Sequence, residues 1–387
     1  MMGGARRARR AGSESSRVAQ TILITGGAGF IGCHLARALL RRGHHVRVLD
    51  SLIEQVHGNP AVVPPLDRDA EFVQGDVRDS AAVRRALRGV DKVVHLAAEV
   101  GVGQSMYAVD RYVSVNDVGT AVLFQQLIDR PVRRVVVASS MSVYGEGLYR
   151  SVDGELFQDI VRGPRNADGT WDPLDPQGRP LIPVPTPETK QPGLKSVYAI
   201  NKYVQERMTL TLCAQYGMES CALRLWNIYG PGQALSNPYT GVLAIFASRI
   251  ANGQPPMVFE DGQQRRDFVH IGDVARAFVL ALEKPEADRQ VLNIGSGVDR
   301  TVEEVARLQA ASMGKPDMDP LITQQARAGD IRHNIPDLSL AREVLGYEAR
   351  QDFQAGLEEL AEWVARQEAE DRVAEARREL EMRGLVA

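Results

Sequence analysis

Between Thr21 and Asp50 the spacing of hydrophobic positions switches from strand to helix and back to strand. The β-branched run TILIT (21–25) leads into glycines. An apolar helical pattern then covers Phe30 to Leu40, and HVRVLD (45–50) predicts a second strand. Strand, tight turn, helix and strand make one βαβ unit. The alternation continues through AEFVQGD, a helix over Ser80–Arg88, KVVHLAA, a helix after Asn116, and RRVVVASS. Strands that alternate with helices predict an α/β fold, a doubly wound parallel sheet covered on both faces.

The pattern breaks after Tyr144. Residues 146–193 are rich in Pro, Gly and Asp and show little periodicity. A stretch of that length without clear elements is expected to be either functional or disordered. Helical spacing returns at Ser196 and is followed by the strand CALRLWN. The remainder mixes short strands (PMVFE, RDFVHI, VLNIG) with helices, as suits a smaller α/β C-terminal lobe. The expected organisation is a basic, disordered leader (1–19) and a dinucleotide-binding domain (20–225) carrying the insert 146–193. A substrate lobe (226–387) follows, some of whose segments return to the main sheet. The charged tail LEELAEWVARQEAEDRVAEARRELEMRG reads as one or two amphipathic helices on the surface or in a dimer contact.

Composition narrows the function classes. The 387 residues are 44% hydrophobic and 25% charged, as in a water-soluble globular chain long enough for a sizeable core. A net charge of -3 gives no ground for nucleic-acid or membrane partners. No apolar run approaches membrane-spanning length, and the leader lacks the apolar centre of a secretion signal. Cys33, Cys213 and Cys221 lie in no metal-like spacing, which predicts no metal site and fits a reducing cytoplasm.

Three groups of residues carry candidate chemistry. Gly26, Gly29 and Gly32 stand between strand and helix in the first βαβ unit. There they permit a tight turn and let a pyrophosphate approach the helix N-terminus, with Phe30 and Ile31 in the first turn. Asp50 closes the second strand, where a carboxylate accepts ribose hydroxyls and repels a 2′-phosphate, so NAD is expected over NADP. Asp76, beside Val77, ends the next strand and is either an adenine-edge partner or the N-cap of the following helix. Ser139 and Ser140 end the strand VVVASS, on the side of the sheet where such folds bind ligands. Tyr198 and Lys202 share one helix face, either as an ordinary i,i+4 pair or as a phenol placed beside an ammonium.

In conjunction these residues resemble the extended short-chain dehydrogenase/reductase family of nucleotide-sugar epimerases and dehydratases, from Thr21 to the C-terminal helices. The resemblance implies a Rossmann-type sheet, NAD, and a catalytic trio of Ser140, Tyr198 and Lys202. It also places Leu96, Ala97 and Ala98 (in HLAA) and Asn116 (in SVNDVGT) along the cofactor or in support of the site. A lysine and the nicotinamide charge beside the phenol are expected to draw its pKa towards neutrality, so that Tyr198 takes a proton from a sugar hydroxyl as hydride leaves.

Met141 and Ser142 occupy the positions where dehydrating relatives carry Asp-Glu and decarboxylating ones a Glu. No second acid/base pair for a 3,5-epimerase is identifiable. What remains is oxidation at carbon 4, rotation of the 4-keto sugar, and return of hydride to its other face. Ser140 and Ser142 are expected to meet the sugar. By the same resemblance Asn227, Arg266, Arg327 and Asp330 hold the diphosphate and ribose of a nucleoside-diphosphate sugar. A cluster of segments, among them AAEVGVGQSMY, SSMSVYGEGLY and SNPYTGVLAIFASRI, is most similar to dTDP-L-rhamnose 4-epimerases, although the insert lacks the cysteine pairs associated with that subgroup. UDP-hexose or UDP-hexuronate 4-epimerases, a net 4-ketoreductase of a dTDP-deoxysugar, and an idle dinucleotide-binding scaffold are the alternatives. A homodimer through the helix after Asn116 and the one beginning at Ser196 is expected from relatives.

Overall fold

The computed structural model describes residues 19–58, 66–162, 165–166, 169–327, 329–368 and 370–386. The basic leader lies outside them except for Ala19. Seven parallel strands form the central sheet: β1 (Thr21–Thr25), β2 (His45–Asp50), β3 (Glu71–Gln74), β4 (Lys92–His95), β5 (Arg134–Ser140), β6 (Glu219–Leu225) and β7 (Gln290–Ile294). Their spatial order is 7-6-5-4-1-2-3. The chain reverses its winding direction beside β1, the place where open α/β sheets leave a crevice at the strand ends. Register brings those ends level: Thr25 pairs with Leu49 of β2 and His95 of β4, and Ser140 of β5 pairs with Leu225 of β6.

Five helices cover the sheet: α1 (Phe30–Leu40), α2 (Ser80–Ala86), α3 (Gly119–Asp129), α4 (Val197–Gln215) and, after the first helix of the C-terminal lobe, Ile271–Glu283. α1 buries Leu35, Ala36 and Leu39, spaced three to four residues apart, in one core with Ile24, Val48, Phe278 and Leu282. Each such leucine contributes roughly 1.5–3 kcal/mol of apolar burial. α1 ends where Gly43 turns to φ +80°, a conformation a side chain would strain.

Two expectations need correction here. The helix around Asn116 begins earlier than its pattern indicates. A turn at Val109–Tyr112 runs through a π-helical stretch, Val113–Val118, into α3. π-turns insert a residue and re-aim side chains, often at functional sites. The insert 146–193 is also built rather than disordered over its described residues. Leu148–Arg150 is the centre strand of a small antiparallel sheet with Leu156–Phe157 and Ile182–Val184. Tyr149, Ile160 and Leu181 form its core. Strands of two or three residues are too short to show a period, which is why the sequence pattern misses them.

The C-terminal lobe packs helices Val242–Ala251, Val302–Ser312 and Phe353–Val364 around Tyr229, Phe268 and Leu357. Arg332 is buried where this lobe meets the insert. Its guanidinium binds Asp172 of the insert (2.7 Å) together with Asp261 (2.6 Å) and Glu260 (3.1 Å). No helix among the described residues is long and apolar enough to cross a membrane.

Candidate active site

One cleft of about 1370 Å³ runs between the strand ends and the C-terminal lobe. Every candidate residue borders it except Asn116.

The cofactor end is built by backbone. Gly26 sits at φ +67°, and a Cβ there would lie 2.8 Å from the backbone of Ala97. A Cβ on Gly32 would lie 2.4 Å from Gly27, so α1 packs directly on its own turn. Gly29 is different: its missing Cβ meets only the Gly26 oxygen, at 3.3 Å, and leaves the helix N-terminus open to the cleft. The first helical bond is donated by Cys33 N–H to Gly29 O. The amides before it have no partner within the helix and suit a phosphate. Asp50 accepts from the amides of Ala28 (3.0 Å) and Leu52 (2.9 Å), so it shapes the glycine turn while bordering the cleft. A carboxylate has lone pairs left for ribose hydroxyls. Val77, Leu96, Ala97 and Ala98 complete the wall. These residues fit NAD.

Asp76 and Asn116 are more constrained than the sequence indicates. Both oxygens of Asp76 are taken by Arg78 (2.9 and 2.6 Å), and the helix N-cap is Asp79, whose carboxylate accepts from Ala81 N–H. Asn116, fully buried, clasps the backbone of Glu99, accepting from its N–H at 2.7 Å and donating to its carbonyl at 3.1 Å. It supports the wall from behind.

β5 delivers Ser140 to the cleft floor, where its oxygen accepts from Ser142 N–H (3.1 Å) and Ser142 Oγ (2.9 Å). Ser140 lies close enough to the Tyr198 phenol to favour its ionised form. α4 brings Tyr198 and Lys202 to the same point. Its N-cap Ser196 accepts from Ala199 N–H, and Tyr198 N–H donates to Ser105 Oγ at 3.1 Å. The expected approach of the phenol to neutrality is absent in the protein alone. Burial pushes Tyr198 up to about 12, against the lowering effect of Ser140. Burial lowers Lys202 to about 7 despite the opposing charge of Glu206. Its ammonium donates to Gln205 Oε1 at 2.8 Å.

Sequence reading missed this support layer. Gln205 also contacts His95 (3.2 Å), the Ala97 carbonyl (3.3 Å) and Thr120 (3.0 Å). Glu206 takes Arg224 through both oxygens and accepts from Ser139. Polar residues three or four beyond Lys202 share its helix face, and that spacing was the available signal.

At the opposite end Asn227 donates to the Asp267 carbonyl at 2.8 Å. Arg266 is 7% exposed and donates only to carbonyls, those of Arg265, Ile331 and Arg332. Burial lowers its pKa. The carboxylates of Asp330, Glu146 and Glu260 act on its charge without a hydrogen bond to it among the described residues, so its remaining donors can take an anion brought from outside. Arg327 pairs with Asp330 at 3.0 Å and lies over the Phe259 ring. The tail departs most from expectation: Val373, Ala376, Arg377, Leu380 and Leu385 line the cleft. No cluster of three or more His, Cys, Asp or Glu residues suited to a metal is found among the described residues.

Comparison with known proteins matches this geometry. The NAD dependent epimerase/dehydratase family matches residues 22–167 and 172–295. A dTDP-L-rhamnose 4-epimerase of Burkholderia thailandensis is 36% identical over 352 residues, covering 89% of this chain and 95% of its own. The crystal structure of UDP-glucose 4-epimerase with UDP-glucose from Thermotoga maritima superposes with a TM-score of 0.73 at 32% identity, covering 89% of this chain and 98% of that one. The Thermus thermophilus UDP-glucose 4-epimerase complex with NAD gives 0.69 at 29% identity, covering 90% and 100%.

Proposed function

Because the chain belongs to the NAD dependent epimerase/dehydratase family and is an NAD-dependent nucleotide-sugar epimerase, we propose that it interconverts dTDP-L-rhamnose and dTDP-6-deoxy-L-talose at carbon 4. The observation that carries the inversion at carbon 4 is the make-up of the cleft floor. Ser140, Tyr198 and Lys202 meet there, while Met141 and Ser142 put no carboxylate beside them. Of the other acids along the cleft, Glu99 pairs with Arg111, Asp76 with Arg78 and Asp330 with Arg327, Asp50 accepts from backbone amides, and Glu54 follows Asp50 at the cofactor end. Elimination or decarboxylation lacks its acid and base.

In this reading Arg266 and Asn227 hold the diphosphate, and Arg327 with Asp330 holds the nucleoside ribose. Ser140 orients the 4-hydroxyl. Tyr198 takes the hydroxyl proton and later returns it. Lys202 stabilises the phenolate, for which it must give up Gln205 or reach the phenol from it. Bound NAD supplies the hydride acceptor and donor, together with a positive ring charge that opposes the effect of burial on Tyr198. The dTDP-deoxysugar is favoured by the Burkholderia relative. A UDP-hexose is the second reading, favoured by the likeness to the Thermotoga enzyme with UDP-glucose.

Exposed Val113 and Val118 before α3 and Ile200 on α4 support a homodimer through those helices. Three free cysteines suit a cytoplasmic site of action. The test is incubation of the purified protein with dTDP-L-rhamnose, without added cofactor, following the carbon 4 proton by NMR. Growth of the talo epimer supports the reading. No change from a protein shown to carry NAD, with turnover of UDP-glucose or UDP-glucuronate run in parallel, transfers the reading to that sugar.

A further inference from the structure

The last described residues, 370–386, run across the open side of the cleft and touch both of its banks. On the C-terminal-lobe bank, Asp371 pairs with Arg249 (3.1 Å) and Glu370 N–H donates to Ser236 Oγ (3.1 Å). From the helix Val373–Met382, Arg377 donates to Gln325 (2.7 Å) and to the sulfur of Met257 (3.4 Å). Val386 forms an antiparallel bridge with Arg327. On the opposite bank, Leu380 packs within 3.5 Å of where a Gly103 Cβ would stand. The Arg383 guanidinium lies 4.3 Å from the Tyr107 ring centre, and the Tyr107 hydroxyl meets that of Tyr239 at 2.5 Å.

The loop that Leu380 and Arg383 touch also holds the catalytic helix, because Ser105 Oγ accepts from Tyr198 N–H. The segment therefore spans from the residues assigned to the diphosphate to the loop at the chemistry, with Ala376 and Leu380 turned inward, Arg377 on the cleft side, and Arg378 outward. Two buried apolar anchors, the ion pair Asp371–Arg249 and a few hydrogen bonds are a small set of contacts for seventeen residues, so the segment belongs to the part of a structure that opens locally at low cost.

We propose that residues 370–386 are a retention strap that keeps the 4-keto sugar in the cleft between its two hydride transfers. The inference rests on the 4-epimerase reading. In the first half-reaction the carbon 4 C–H bond breaks, its hydride is carried by the cofactor, and the hydroxyl proton rests on Tyr198. A ketone that leaves at this stage strands the enzyme with reduced cofactor and a protonated phenol. Rotation within the cleft must outpace escape, and a wall across the open side slows escape without touching the reacting carbon. Product then leaves when the strap parts from Gly103 and Tyr107.

The test compares the full chain with a chain ending at Gln367 and with Leu380→Asp in the full chain. Each is checked for bound NAD and thermal transition, and each is given the nucleotide sugar that the wild type turns over. The expected result is roughly a tenfold rise in free 4-keto sugar per epimer formed, as loss of one buried leucine contact implies. Reduced-nicotinamide absorbance builds up in step, and dTDP and UDP dissociate faster by stopped-flow. If the shortened chain does not fold, Leu380→Asp gives the answer alone. A folded, NAD-bearing variant with the wild-type ratio of ketone to epimer overturns the strap. A wild type that epimerises no nucleotide sugar overturns the 4-epimerase reading instead, while the dTDP and UDP release rates still decide whether the segment retains ligand.

Discussion

Lys202 donates to the amide oxygen of Gln205 at 2.8 Å, one turn further along the same helix. The ammonium proposed to stabilise the phenolate is thus buried and bound to a neutral partner. Burial lowers its pKa to about 7, from an unfolded value near 10.5. A group whose folded pKa lies below its unfolded one costs stability when protonated. That cost is full below about pH 7 and fades as pH rises towards 10.5.

Lys202→Met is accordingly expected to raise the melting temperature at pH 6 and to lose this advantage as pH approaches 10, while turnover falls by about 10²-fold or more. Thermal scans across that range, paired with the NMR assay, check both parts. Equal shifts in melting temperature at both ends of the range would remove the buried-ammonium account.

Tyr198→Phe keeps the ring and its packing and removes only the hydroxyl beside Ser140. NAD content should be unchanged while epimerisation drops by about 10²–10⁴-fold, the range for loss of a positioned acid/base. Normal turnover by this variant sinks the proton-transfer role.

The glycines separate by what a methyl group would meet. Gly32→Ala pushes a Cβ to 2.4 Å from Gly27 and should cost stability of about 1–3 kcal/mol through displacement of α1 from its turn. Gly29→Ala faces the open cleft and should leave the melting temperature nearly unchanged while weakening NAD retention. Denaturation curves and released-cofactor assays on the two variants distinguish the roles.

Arg266→Met tests the diphosphate site. Among the described residues its guanidinium donates to carbonyls and to no carboxylate, which leaves donors for phosphate oxygens, so the variant should raise KM or abolish dTDP binding, with NAD content intact. Titration calorimetry with dTDP reads this directly; wild-type affinity would reassign Arg266 to a structural role.

Arg332→Met acts at a distance from the reacting carbon. It leaves buried Glu260 with Arg162 alone and Asp172 with His333 alone, and deprives Asp261 of its cation. Removing one partner of a buried ion cluster costs about 3–5 kcal/mol. A lower denaturant midpoint, with susceptibility of the insert 146–193 to proteolysis, is the expected outcome.

The sequence determined what is local. β1, α1 and β2 follow from β-branched runs, glycines and a helical apolar stripe, and their ends match the pattern residue for residue. Ser140, Tyr198 and Lys202 were legible because each carries its signal within one element: a strand end, or one helix face. The parallel main sheet follows from the same alternation, while its edge strand Gln290–Ile294 comes from the segment read with the C-terminal lobe. Tertiary structure alone decided the rest, because it depends on contacts between distant segments. Short strands 148–150, 156–157 and 182–184 exist through mutual pairing and through Arg332, far along the chain. Of the two places open to Asn116, along the cofactor or in support of the site, the clasp on Glu99 gives it the second, and the phenol moved up in pKa, because burial is set by everything packed around a group. The tail has the composition of a solvated helix. Its place across the cleft comes from Leu380 finding Gly103, more than two hundred positions earlier in the chain, and from Arg377 finding Met257 and Gln325. No periodicity within ten residues encodes such a meeting; only the folded chain brings the partners together.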